Sequence, residues 1–164
     1  MASHYAALQG RFMLALDIQH VRMKQHATDK AQALQCLVDI LVEDQLVTPD
    51  YIYGLTAREQ QSATYLGQGI AIPHGTPQSR QCILKTGIRL AHFPEGVVWD
   101  GENKIYLAVV IAAKSDEHLQ VLQILTRALI NDVADQVKQA QSAEQIIALL
   151  QVQPASLALS LIHI

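Results

Sequence analysis

The most apolar stretch of the chain is Ile105–Ala113, with the sequence IYLAVVIAA. A run this rich in Val and Ile, with no charged side chain, is typical of a central β-strand that is covered on both faces. Apolar runs bounded by turn residues predict further strands before it, and Phe93–Gly96 reads as a turn that ends the last of them. These predicted strands are Leu14–Ile18, Thr64–Leu66, Ile70–Ile72 and Leu84–Phe93.

Segments of helical periodicity alternate with these strands. The first helix starts at Thr28 or Asp29, and the second starts at Thr48-Pro49 and runs to about Gln61. A third opens at Ser115, a short one ends near Ala140, and a last one begins at the capping-box sequence of residues 142–145. The interleaving predicts an α/β domain with a mixed central sheet flanked by helices.

Composition excludes several classes of protein. The chain has 164 residues, of which 50% are hydrophobic and 16% charged, and this balance predicts one globular domain. A formal net charge of −3 without a Lys/Arg cluster argues against a nucleic-acid partner. No apolar run is long enough to span a membrane, and the first residues do not form a signal peptide. With Cys36 and Cys82 interpreted as buried reduced thiols, we expect a cytoplasmic location.

The domain is predicted to cover residues 13–151. Residues 1–12 precede the first predicted strand, and we interpret them as an appendage or a disordered extension. Residues 152–164 contain Pro154 and then an apolar, strand-like tail. We interpret them as a linker and the start of a following domain.

Of the seven histidines, His74 has the most informative setting, within the segment GQGIAIPHGT. Pro73 fixes its own φ, and the neighbouring glycines permit close approach of another backbone or a phosphate. The pattern predicts a histidine that is presented at the end of a strand rather than buried. A turn histidine without function is the alternative. His4, His20, His26, His92 and His163 are interpreted as solvated, structural or terminal.

Two other side chains are candidates for the same site. His118 occupies the third position of a predicted helix, where free backbone amides can receive an anion. Arg58 offers a planar fork of donors that suits a phosphoryl group. The alternative for both is an ordinary surface position. No GxxxxGK[ST] motif supports an ATP-driven kinase, and His74 and His118 lack the partners of a metal site.

Six motifs follow one another along the chain. They are Ala57-Arg58-Glu59-Gln60, Thr64–Gly67, Gly69–Thr76, Leu84–Gly87, Phe93–Val97 and Glu117-His118-Leu119. In this order they resemble the fructose/mannitol class of enzyme IIA of the bacterial phosphoenolpyruvate-dependent sugar phosphotransferase system, and the similarity covers roughly residues 14–150. The sequence around Arg58 and His118 is most similar to the fructose branch, in which this domain is often the N-terminal part of a multiphosphoryl transfer protein.

The resemblance implies a phosphotransferase/anion-transport-protein-like fold with His74 in a shallow surface depression. It implies that His74 takes a phosphoryl group from phospho-HPr, or from an HPr-like domain, and gives it to a cysteine of a fructose-type enzyme IIB. His118 and Arg58 match the second active-site histidine and the arginine, and no cofactor is implied. A mannitol-specific enzyme IIA and a nitrogen-type regulatory enzyme IIA, which acts by binding other proteins, are the alternatives.

Overall fold

The computed structural model describes residues 16–116 and 132–150. The strands are β1 (Val21–Arg22), β2 (Tyr65–Gly67), β3 (Ile70–Ala71), β4 (Gly87–Asp100) and β5 (Asn103–Ala112). They form a five-stranded sheet with the order β1-β4-β5-β3-β2, so that the strand predicted to be central, β5, lies in the middle. β5 pairs antiparallel to β4 and parallel to β3, and the sheet is therefore mixed, as predicted.

The described helices are α1 (Lys30–Glu43), α2 (Tyr51–Gln61), α3 (Ala134–Gln139) and α4 (143–150), with 3-10 helices at Ile18–His20 and Pro77–Cys82. Asp29 caps α1 by accepting a hydrogen bond from the Gln32 amide at 2.9 Å, as predicted. Ser142 caps α4 in the same way through the amide of Gln145. No described helix is long and apolar enough to cross a membrane.

The two faces of the sheet bury separate apolar clusters. Alternate β5 residues divide between them, with Ala108 and Val110 in one cluster and Leu107 and Val109 in the other. The first cluster lies beneath α1 and α2, and the second includes residues of α3 and α4. Helices therefore cover both faces, which explains why β5 is apolar from Ile105 onward, beyond its exposed first residues Asn103 and Lys104.

The prediction of a first strand at Leu14–Ile18 is wrong for residues 16–18, the part of it that the structure describes. Ile18 begins a 3-10 helix, and the strand of this region is β1, three residues further on. The Asp17 amide donates to Nδ1 of His20 at 3.3 Å, and the His20 amide donates to the Asp17 carbonyl at 2.8 Å. Such local bonds satisfy the backbone and compete with strand pairing.

The predicted turn at Phe93–Gly96 does not end β4. The strand starts at Gly87 and continues to Asp100, because the pairing with β5 shifts register between His92 and Val97. Four residues of β4 lie between these two positions, opposite the single residue of β5 that separates Ile105 from Leu107, so the extra residues form a bulge. Gly96 has φ 77° there, a conformation that glycine adopts without strain.

The start of α2 also differs from the prediction. The helix begins at Tyr51 rather than at Pro49, because the amides of Tyr51 and Ile52 bond three residues back, to the carbonyls of Thr48 and Pro49. The chain therefore turns at Thr48 but adopts regular helical geometry later. The helix predicted from Ser115 falls largely outside the described residues.

Gln68 connects the β2–β3 turn to the start of α3. Its side-chain carbonyl accepts hydrogen bonds from the amides of Val133 and Ala134, both at 3.1 Å. These amides lie at the N-terminal end of α3, where backbone donors have no partner within the helix. The side chain of Gln68 thus caps a helix that is distant in sequence.

Candidate functional site

His74 lies directly beyond β3 and continues its pairing with β5. It forms a parallel bridge with Ile111, whose amide donates to the carbonyl of Pro73 at 2.9 Å. The central strand therefore fixes the backbone on either side of the histidine. The side chain is only 9% exposed, so the prediction that it is presented rather than buried was wrong.

The ring of His74 is oriented by its own chain. Its Nδ1 lies 2.9 Å from the backbone carbonyl oxygen of Ile72. Since a carbonyl oxygen can only accept, Nδ1 carries the proton and donates, and the neutral ring then has its lone pair on Nε2. The Ile72 carbonyl is an acceptor that side-chain patterns in the sequence could not reveal.

Tyr51 holds the loop that carries His74 against β5. Its hydroxyl donates to the carbonyl of Ile111 at 3.0 Å and accepts from the amide of Gly75 at 2.9 Å. Burial raises the pKa of Tyr51 to about 12, although the hydrogen bond from Gly75 opposes the shift. The hydroxyl therefore keeps its proton at neutral pH and can make both bonds.

Two glycines allow this loop to pack closely. A Cβ atom on Gly75 would lie 2.7 Å from Cε1 of Tyr51, and one on Gly54 would lie 2.2 Å from Cβ of Ser79. Gly54, which weakens α2 as a helix, thus lets α2 contact the 3-10 helix that follows His74. Both glycines are required by close approach rather than by their φ angles.

A depression of about 150 Å³ opens beside His74. The guanidinium of Arg58 donates to the carbonyl of Ser62 at 2.7 Å, and that of Arg80 donates to Asp116 at 2.8 Å. His74 and Arg58 both line the depression, so the structure brings these two residues together, as predicted. His118 lies outside the described residues. The residues that line the depression include Tyr51, Arg58, Gln61, His74, Thr76, Arg80 and Ile111.

Arg80 and Tyr51 are among the lining residues that sequence reasoning missed. Arg80 lies in a polar stretch for which no element was predicted, and the structure shows this stretch as the 3-10 helix Pro77–Cys82. The only signal was a basic residue six positions after His74, and such a signal is weak without the fold. Within residues 16–116 and 132–150, no three His, Cys, Asp or Glu side chains are grouped as metal ligands.

Next to Arg58, Glu59 is the centre of a buried polar network. One carboxylate oxygen accepts from the amide of Thr64 at 2.8 Å and from the indole of Trp99 at 2.9 Å, and the other accepts from the Thr64 hydroxyl at 2.6 Å. Lys30 lies 3.2 Å from the carboxylate and 5.3 Å from the centre of the Trp99 ring. These bonds fix the C-terminal end of α2, which carries Arg58.

His92 is fully buried in β4 and lies away from the depression. Its Nε2 donates to the carbonyl of Val137 in α3 at 2.7 Å, and among the described residues its Nδ1 has no hydrogen-bond partner. Burial lowers the pKa of His92 more than the bond to Val137 raises it. These contacts agree with the structural role expected for this histidine.

Fold and site together define an α/β domain that holds a histidine in an arginine-lined depression. The model of the family described as "Phosphoenolpyruvate-dependent sugar phosphotransferase system, EIIA 2" matches residues 15–152. The chain belongs to this family.

Individual relatives agree with this assignment. The chain is 46% identical to multiphosphoryl transfer proteins of Vibrio cholerae and of Escherichia coli O157:H7, over 84% of its length in both cases. It spans only 35% and 37% of those two proteins, about a third of their length. Among solved structures, the mannitol IIA of Escherichia coli is similar with a TM-score of 0.75 and 33% identity, covering 82% of this chain and 98% of that one.

Proposed function

We propose that this domain is a phosphocarrier of sugar uptake that works in the cytoplasm. His74 accepts a phosphoryl group from phospho-HPr, or from an HPr-like domain of the same polypeptide, and passes it to the cysteine of a fructose-type enzyme IIB. The observation that carries the proposal is the bond from Nδ1 of His74 to the Ile72 carbonyl, beside a depression lined by Arg58.

The chemistry follows from the tautomer. Nε2 of His74 attacks the phosphorus, and its new bond to phosphorus forms as the bond to the donor histidine breaks. The ring becomes positively charged, and the Ile72 carbonyl stabilises that charge through the Nδ1 proton. Transfer to the enzyme IIB cysteine reverses these steps, with a thiolate as the nucleophile.

Positioning and charge stabilisation provide most of the catalysis in phosphoryl transfer. In the proposal, Arg58 offsets charge on the phosphoryl oxygens, and His118 assists as the second histidine. The bond of Arg58 to the Ser62 carbonyl holds its guanidinium at the depression. The proposal includes no cofactor and no metal ion.

The choice of fructose over mannitol depends on sequence similarity. Multiphosphoryl transfer proteins of Vibrio cholerae and Escherichia coli O157:H7 are 46% identical to this chain, whereas the mannitol-specific EIICBA component of Pasteurella multocida is 41% identical and the mannitol IIA of Escherichia coli is 33% identical. A mannitol-specific domain is the second candidate, since that protein has the same fold. Purified fructose-type and mannitol-type enzyme IIB proteins would distinguish the two as acceptors of phosphoryl groups from the labelled domain.

The test uses enzyme I, HPr and labelled phosphoenolpyruvate. We expect one labelled histidine in the wild type, no label in His74→Ala, and full label in His26→Ala, because the side chain of His26 is 71% exposed. Label that persists in His74→Ala would overturn the proposal. Label on His74 that neither enzyme IIB accepts would instead indicate the nitrogen-type regulatory alternative.

A further inference from the structure

We propose that Arg80 is a second phosphoryl-binding residue, which Asp116 holds in an ion pair until the anion arrives. This inference rests on the proposed phosphorylation of His74. It adds to the site an arginine that neither the sequence motifs nor the role of Arg58 requires.

The backbone of Arg80 is fixed relative to His74. The 3-10 helix Pro77–Cys82 begins three residues after His74, and Thr76 caps it by accepting from the amide of Ser79. At its end, the carbonyl of Cys82 accepts from the amide of Thr48 at 2.8 Å. Only the side chain of Arg80 therefore needs to move for its guanidinium to change partner.

The side chain of Arg80 already lines the depression that contains His74 and Arg58. Its guanidinium donates to Oδ1 of Asp116 at 2.8 Å, and the side chains of Arg80 and Asp116 are 33% and 74% exposed. An ion pair as exposed as this one contributes little to stability, because water competes for both partners. Exchange of the Asp116 carboxylate for another anion therefore costs little.

The charge of the phosphoryl group explains why a second arginine is useful. A phosphoryl group on a side chain carries between about one and a half and two negative charges near neutral pH. Arg58 supplies one positive charge, and part of its hydrogen-bonding capacity is used by the Ser62 carbonyl. Arginine can bind phosphate oxygens through two parallel charge-assisted bonds, whereas Arg80 makes one hydrogen bond to the exposed carboxylate of Asp116.

Two substitutions break the same ion pair and separate the possible roles of Arg80. Arg80→Gln removes the cation, whereas Asp116→Asn releases it. If Arg80 binds the phosphoryl group, Arg80→Gln should slow transfer from phospho-HPr to His74 by about tenfold or more, and Asp116→Asn should transfer at least as fast as the wild type. If the ion pair only holds the structure, both variants should slow transfer alike, and the proposal is overturned.

A third variant tests the geometry of the interaction. Arg80→Lys keeps the charge but not the planar fork, so its transfer rate should lie between those of the wild type and Arg80→Gln. Thermal unfolding of each variant checks that the domain is folded. Wild-type transfer rates in both folded Arg80 variants would contradict the proposal.

A binding measurement separates this inference from the proposed function. Inorganic phosphate, titrated into unphosphorylated wild type, should shift the side-chain NMR signals of Arg80, and it should bind about tenfold more weakly to Arg80→Gln. Equal phosphate affinity in the two proteins would overturn the role of Arg80 even if His74 is phosphorylated. Failure of His74 to take up label, with the phosphate difference intact, would overturn only the proposed function.

Discussion

The Tyr51 hydroxyl joins three elements with two hydrogen bonds. It donates to β5 at Ile111 and accepts from the loop at Gly75, while its own backbone begins α2. Removing the hydroxyl leaves a backbone carbonyl and an amide without this partner in a largely buried setting. A buried polar group that loses its partner costs about 1–3 kcal/mol.

We therefore expect Tyr51→Phe to lower the free energy of unfolding, measured by urea unfolding, by about 2 kcal/mol. We also expect slower phosphoryl transfer, because the loop next to His74 loses a fixed contact. Tyr53→Phe is the matched control, since Tyr53 lies on the same helix and is 73% exposed. Equal stability of the two variants would show that the two bonds of Tyr51 contribute nothing.

The nitrogen chemistry of His74 illustrates what residue patterns can predict. Pro73 and the neighbouring glycines marked this histidine in the sequence, and the structure places it beside Arg58. The acceptor of its Nδ1 proton is a backbone carbonyl two residues earlier, and every residue has such a carbonyl. No side-chain pattern can therefore predict that bond, or the tautomer that follows from it.

At the scale of elements, Glu59 fixes the end of α2 to β4 and to Thr64, the residue that precedes β2. Its carboxylate accepts from Thr64 and Trp99 and forms an ion pair with Lys30, and the Glu59 side chain is only 4% exposed. Glutamine has a similar shape, but it has one carbonyl oxygen and no charge. At least one donor of the network would then lose its acceptor.

We expect Glu59→Gln to lower the free energy of unfolding by about 2 kcal/mol, as for other hydrogen bonds to charged groups. Glu43→Gln, at an exposed position in α1, should change it by less than about 0.5 kcal/mol. Urea unfolding of both variants makes the comparison. A Glu59→Gln domain as stable as Glu43→Gln would mean that the buried carboxylate has no net stabilising effect.

Sequence patterns predicted elements with local signals better than elements set by tertiary contacts. Asp29 and Ser142 cap their helices as predicted, because a cap depends on residues only three positions away. The length of β4 was mispredicted, since Pro94 and Gly96 are turn residues that a long partner strand accommodates in a bulge. Pairing with β5 decides that outcome, and the residues around Pro94 and Gly96 alone do not indicate how they pair with β5.

At the scale of the whole molecule, His92 makes stability depend on pH. Its pKa in the folded state lies below the usual 6.5, because the buried ring resists protonation. The unfolded chain therefore binds a proton at a higher pH than the folded domain does. The stability that depends on neutral His92 is fully present above about pH 6.5, and it is lost as the pH falls towards the folded pKa of His92.

Urea unfolding at a series of pH values tests this expectation. The contribution of His92 to the slope is at most about 1.4 kcal/mol per pH unit. His92→Gln keeps a donor for the Val137 carbonyl but cannot titrate, so its curve should be flatter below pH 6.5. Curves of equal slope for the wild type and His92→Gln would contradict the assignment.

Asp44 acts in a lower pH range. Burial opposes its ionisation, but hydrogen bonds and charge from Arg89 and Arg22 outweigh burial and lower the pKa of Asp44 below its usual 3.8. Arg22 contacts both carboxylate oxygens, at 2.8 and 2.7 Å. The stability from this cluster is present above about pH 4 and is lost as the pH falls through the folded pKa of Asp44, whereas the effect of His92 begins at about pH 6.5.

The position of Trp99 has a spectroscopic consequence. It is the only tryptophan of the chain, it is 3% exposed, and its indole is bonded to Glu59 in the apolar cluster beneath α1 and α2. Its fluorescence is therefore an intrinsic reporter of that half of the molecule. A red shift of the emission will signal opening of the α1–α2 layer, whereas the opposite layer around Val137 can loosen without a direct tryptophan signal.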